Sequence, residues 1–84
     1  MTDKGDAVRL AILVELLRRE EAGELPPTHR EIGEAVGRSY TSARWHLEQL
    51  ERKGHVTLWA ETARGVMLTD AGRVAARKRR TAAN

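Results

Sequence analysis

The sequence predicts a mainly α fold with a small β-hairpin: three helices, two short strands and a basic C-terminal helix or tail. Three observations carry this prediction. Two short amphipathic segments meet across only Arg38 and Ser39, directly after Gly37. A Thr-x-x-Glu box, Thr28 with Glu31, marks the start of the first of the pair. After Gly54 the apolar spacing changes from helical to period two.

The elements follow in chain order. Asp6 is expected to cap a first helix over about residues 7–21, closed by Ala22-Gly23. Its apolar residues Val8, Leu10, Ile12, Leu13, Val14, Leu16 and Leu17 form a stripe broader than a one-sided surface helix needs, so it either packs on two sides or meets another chain. "GELPPT" makes an extended connection, because the residue before each proline is kept out of the α region. "HREIGEAV" is the second helix, with Ile32, Ala35 and Val36 inward and Gly37 as a left-handed cap. Ser39 caps the third helix, over residues 39–53, whose inner stripe is Ala43, Leu47 and Leu50. Two helices joined this tightly cross steeply, which is a helix-turn-helix. "HVTLWA" and "VMLT" then read as two strands, with Val56, Leu58, Val66 and Leu68 inward and the tip near residues 60–65. Gly65 is expected at a positive φ in that tip. Asp70, or Thr69 before it, caps a last segment that is expected to fray. The order is that of a winged helix-turn-helix.

Eighty-four residues suit a single domain, 1–84, with a core over about 7–69 and a basic tail over about 70–84. No cysteine is present, which excludes disulfides, thiolate metal sites and cysteine nucleophiles. No apolar run approaches the roughly 18 residues that span a membrane, and the acidic start lacks a signal-peptide pattern, so a cytoplasmic location is expected. The net charge of +3 is unevenly spread. Residues 1–36 hold five Lys/Arg against eight Asp/Glu, whereas residues 37–84 hold ten against four. That asymmetry suits a chain that turns one face toward a polyanion. His29, His46 and His55 lack metal-ligand spacing, and no set of nucleophile, base and orienting acid stands out. No enzyme activity, metal or cofactor is expected. His46, beside the buried stripe, is expected to bond locally.

"GELPPTHREIGEAVG", "SARWHLEQLERKGHV" and "RGVML" together resemble the N-terminal DNA-binding domain of LexA-type repressors, over about residues 10–68. The span from Gly37 to His46 is one residue shorter than in that pattern, and the DNA-facing residue types differ. Ala71-Gly72 matches the family's cleavage dipeptide, but no serine–lysine protease region accompanies it, so a stand-alone regulator without self-cleavage is expected. The resemblance implies double-stranded DNA as partner, with a homodimer at least on DNA, on an inverted repeat.

Aligned from His46-Leu47, the family's base-facing positions fall on Ser39, Thr41, Ser42, Arg44 and Trp45. The helical wheel independently turns Thr41, Arg44 and Trp45 away from the buried stripe. Arg44 is the best base reader, because its planar fork matches guanine O6 and N7. Trp45 has three readings: a contact to thymine methyls and sugars, a contact to a protein partner, or a solvated ring over Glu48 and Arg52. Backbone contacts are expected from Thr28 and Arg30 at a helix N-terminus, from Arg38 and Arg52, and from Thr62 and Arg64 at the wing tip. Tyr40 either reaches a phosphate or packs on the first helix. Trp59 lies on the wing's outer face or under the first helix. Arg73, Arg77, Lys78, Arg79 and Arg80 form either an electrostatic arm or a disordered end. Two other functions fit the same fold: a protein-binding adaptor that uses Trp45 and Trp59, and a replication or recombination accessory protein.

Overall fold

The computed structural model describes residues 4–83; residues 1–3 and 84, at the two ends of the expected domain, lie outside it. Its elements are α1 (Lys4–Glu21), α2 (His29–Val36), α3 (Tyr40–Arg52), β1 (Val56–Leu58), β2 (Val66–Leu68) and α4 (Asp70–Ala83). The strands pair antiparallel, with Val56 opposite Leu68, Thr57 opposite Met67 and Leu58 opposite Val66. The architecture is a winged helix-turn-helix with an added C-terminal helix.

One local device ends all three leading helices. At Gly37, φ is +70°, the left-handed region that glycine enters without a Cβ penalty. Its N–H reaches the Glu34 carbonyl and the Arg38 N–H reaches the Gly33 carbonyl, at 2.8 Å for the latter. This is the Schellman pattern, and it recurs at Gly23 and Gly54. At the other ends, Thr28 and Glu31 form the reciprocal capping box, and the Ser39 hydroxyl accepts from the Ser42 N–H at 3.1 Å. Asp6 is not a cap. Helix α1 begins earlier, and Asp6 sits in its first turn, where it pairs with Arg9 at 2.8 Å.

The broad stripe on α1 is used within the chain. Val8, Ile12, Leu13, Leu16 and Leu17 are buried, because α2, α3, α4 and β2 all pack against α1. Ile32, Ala43, Leu47, Leu50, Val56, Val66 and Leu68 complete the core. The expectation for α2 needs one correction. Ala35 is exposed, and Gly33 is buried in its place. A Cβ on Gly33 would stand 2.7 Å from the Arg38 carbonyl oxygen, so the turn backbone itself packs on that face.

The last segment is a 14-residue helix docked on α1, capped by Thr69, whose hydroxyl accepts from the Gly72 N–H at 3.0 Å. Ala76 is fully buried and Val74 is exposed. The expected arm is therefore divided. Arg73 forks onto Glu20 (2.7 and 2.9 Å) and Arg80 onto Glu21 (2.6 and 3.2 Å), while Arg77, Lys78 and Arg79 face solvent.

Two outcomes follow. Alanine at Gly33 would gain about 1 kcal/mol in an unobstructed helix. Here it should instead lose about 1–3 kcal/mol by pressing on the turn, as read by urea unfolding. The Arg73 and Arg80 hydrogen bonds hold the Glu20 and Glu21 carboxyls below their ordinary pKa. A lowered folded-state pKa gives stability that is full above the unfolded value and lost as pH falls through the folded one. Amide-exchange protection of α4 should therefore drop below about pH 4, ahead of the α1–α3 core.

Candidate nucleic-acid interface

Helix α3 presents a solvent-facing ridge opposite Ala43, Leu47 and Leu50. Thr41, Arg44, Trp45, Glu48 and Arg52 are all exposed along it. Arg44 has 61% of its side chain exposed, with Nε 3.7 Å from Glu48 across one helical turn. A pair this open leaves the guanidinium available to an incoming acceptor. Ser39 and Ser42 lie at the start of the ridge, exposed and half-buried respectively. The Ser39 oxygen is engaged as a cap acceptor, which leaves its O–H proton and one lone pair for a ligand.

The two flanks of the ridge differ. On one side, α3, the start of α2 and the wing enclose an open groove of about 770 Å³. Thr28, Arg30, Tyr40, Arg44 and Thr62 line it, so five of the expected contacts share one concavity. Trp59 lines it too, 52% exposed, which places this ring on the wing's open face and not under α1. Its place was open in the sequence because alternation fixes a strand's face but not what lies opposite. Tyr40 packs beside His29, ring centroids 6.1 Å apart. Burial, then the Arg44 charge, lowers the His29 pKa below its ordinary value. Glu48, Glu51 and Glu61 line the groove as well. The Glu51 carboxylate accepts the Leu58 N–H at 3.1 Å and so ties α3 to the wing.

On the other flank stands Trp45, 52% exposed. Its ring does not fold over Glu48 and Arg52. It meets His46 edge-on at 5.0 Å, and the Arg9 guanidinium of α1 lies 5.8 Å from its centroid. His46 is buried, and its Nδ1 lies 3.2 Å from Arg9 Nη1, a contact across the fold.

The wing tip is also tied down. Arg64 turns back and donates to Glu31 Oε1 (2.7 Å), Glu31 Oε2 (3.4 Å) and the Pro26 carbonyl (3.0 Å). The Thr28 N–H, then Arg64, lowers the Glu31 pKa. Arg64 thus staples the wing to the start of α2 and does not project from the tip. Gly65 is not at a positive φ; its lack of a side chain serves a close approach, since a Cβ there would run into the Trp59 carbonyl oxygen. Arg38 and Arg52 are exposed but stand outside the groove. Among the described residues, no three His, Asp or Glu side chains gather as a metal site, and no helix is long and apolar enough to cross a membrane.

Comparison with known proteins places this arrangement. The family model of the LexA DNA binding domain matches residues 8–65, which includes α1 from Val8 through the wing tip and stops before β2 and α4. The chain is 36% identical over 73 residues to a LexA repressor of Lactiplantibacillus plantarum, covering 86% of this chain and 35% of that protein. It is 50% identical over 48 residues to a LexA repressor of Bordetella petrii (56% and 21%) and 43% identical over 68 residues to one of Lactobacillus delbrueckii subsp. bulgaricus (80% and 33%). The chain thus spans about a third or less of the length of these relatives. By sequence match and by architecture, the chain belongs to the LexA DNA-binding-domain family.

Proposed function

We propose that this chain is a sequence-specific double-stranded-DNA-binding repressor that acts in the cytoplasm and inserts the α3 ridge into the major groove. The observation that carries the reading is the exposed run Thr41, Arg44 and Trp45 on a helix fixed by the turn and the core, beside a groove lined in part by basic and hydroxyl side chains. Arg44 offers a bidentate donor to guanine, and Trp45 a flat apolar surface to thymine methyls and sugars. Thr28, Arg30, Tyr40 and Thr62 suit the adjacent sugar–phosphate strand, with the Trp59 ring against it. Glu48, Glu51 and Glu61 also line the groove and disfavour phosphate beside them, so a strand is held by the basic and hydroxyl side chains. Arg38 and Arg52 add charge at the borders, as Arg77, Lys78 and Arg79 do more remotely.

One module reads few base pairs, so a homodimer on an inverted repeat, with half-sites about one helical turn apart, supplies the remaining specificity. Since the apolar stripe of α1 is covered within the chain, the pairing need not use it. The relatives named as repressors support the sign of regulation.

Selection from random duplex DNA at two salt concentrations tests the reading. Enrichment of a two-fold-symmetric site is expected; a site without symmetry would remove the dimer, and no enrichment would remove specific readout. Arg44→Ala should cost about 1–3 kcal/mol and relax preference at one base position per half-site. If it instead leaves DNA binding intact while a captured protein is lost, the adaptor reading replaces this one.

A further inference from the structure

The geometry points to Arg9 of α1 as a positioning residue that sets base preference through Trp45 without touching DNA itself. This inference rests on the reading of Trp45 as a base contact. A tryptophan half exposed on a helix surface has several rotamers open to it, and a ring that wanders reads nothing. Here it is held from two sides. The His46 ring stands edge-on to it, at 75° and 5.0 Å, and the Arg9 guanidinium lies 5.8 Å from its centroid, within reach of a cation–π attraction.

Both supports are themselves fixed. Only 12% of the Arg9 side chain is exposed, and His46 is 7% exposed. One arm of the Arg9 fork donates to Asp6 at 2.8 Å and the other meets His46 Nδ1 at 3.2 Å, so the plane is pinned at both ends. Arg9 Nε is buried and makes no hydrogen bond among the described residues. A guanidinium serving only as an ion-pair partner would have no need to sit against an indole on another helix. Its burial also keeps it off the phosphates, so its effect on DNA passes through the ring. Preorganisation of this kind removes the cost of ordering the ring on binding, a gain realised in full only where the ring meets the base it fits.

The test compares the parent chain with Arg9→Met, Arg9→Lys and Trp45→Ala, by selection from random duplexes and by indole N–H relaxation of the free protein. Arg9→Met should reduce discrimination about three- to tenfold at the base position that Trp45→Ala relaxes, and leave other positions unchanged. The Trp45 indole should lose order in Arg9→Met. Arg9→Lys should fall between, since a lysine keeps the charge but cannot bridge Asp6 and His46. Equal weakening on all sequences, with the indole as ordered as in the parent, would overturn the proposal. If Trp45→Ala leaves the selected sequence unchanged, the base-contact reading fails and the proposal fails with it. If Trp45→Ala changes the selection and neither Arg9 variant does, only the proposal fails. Should Arg9→Met not fold, Arg9→Lys decides by the same outcomes.

Discussion

The fold turns on a close backbone approach. The α2–α3 turn occupies the space that a side chain at residue 33 would take, and only a hydrogen-sized group lets it lie there. The left-handed Gly37 reverses the chain, the Arg38 N–H closes onto the Gly33 carbonyl, and Ser39 opens the next helix at once. No slack remains between the two helices. The direction of α3 is therefore set by short backbone hydrogen bonds, not by a hinge. Once it is set, the buried stripe of α3 meets α1 and the opposite ridge must face water.

Helix α1 is the hub of the remaining structure. Its broad apolar stripe is buried, and its polar rim supplies long-range pairs: Arg9 to His46 at one end, Glu20 and Glu21 to Arg73 and Arg80 at the other. The first pair touches the exposed ridge of α3. The second attaches α4, which lies beyond the matched family region. Exposed ion pairs contribute little one by one, so the docking of α4 also depends on the buried Ala76 and on Gly72, where a Cβ would collide with the His55 carbonyl. The wing is held in the same manner. Arg64 joins it to Glu31 and Glu51 joins it to α3, so the groove between them is shaped by fixed elements.

What the sequence made legible was local. The capping box, the Ser39 cap, the Gly37 stop and the period-two runs are each defined within four or five residues, where backbone geometry leaves few alternatives. The exposed face of α3 followed from helical spacing alone. What stayed hidden was carried by contacts between residues far apart in the chain. Arg9 and His46 are 37 positions apart, Arg64 and Glu31 33, and Arg73 and Glu20 53. An arginine that solvates a surface and one that staples two elements look alike in a sequence. Glycine is ambiguous in a similar way. Gly65 and Gly33 serve close approach, whereas Gly37 serves a positive φ, and the letter does not distinguish them. Placing Tyr40 and Trp59 required knowing how the wing sits relative to α2.

The central claim is that the α3 ridge and the groove beside it form the DNA face. Titrating the labelled protein with its selected duplex, while following backbone amide and indole resonances, decides it. Shifts concentrated at Ser39–Trp45, at the start of α2 and at both Trp45 and Trp59 indoles are expected. Shifts confined to α4 and the far side of α1, with both indoles unmoved, would contradict it.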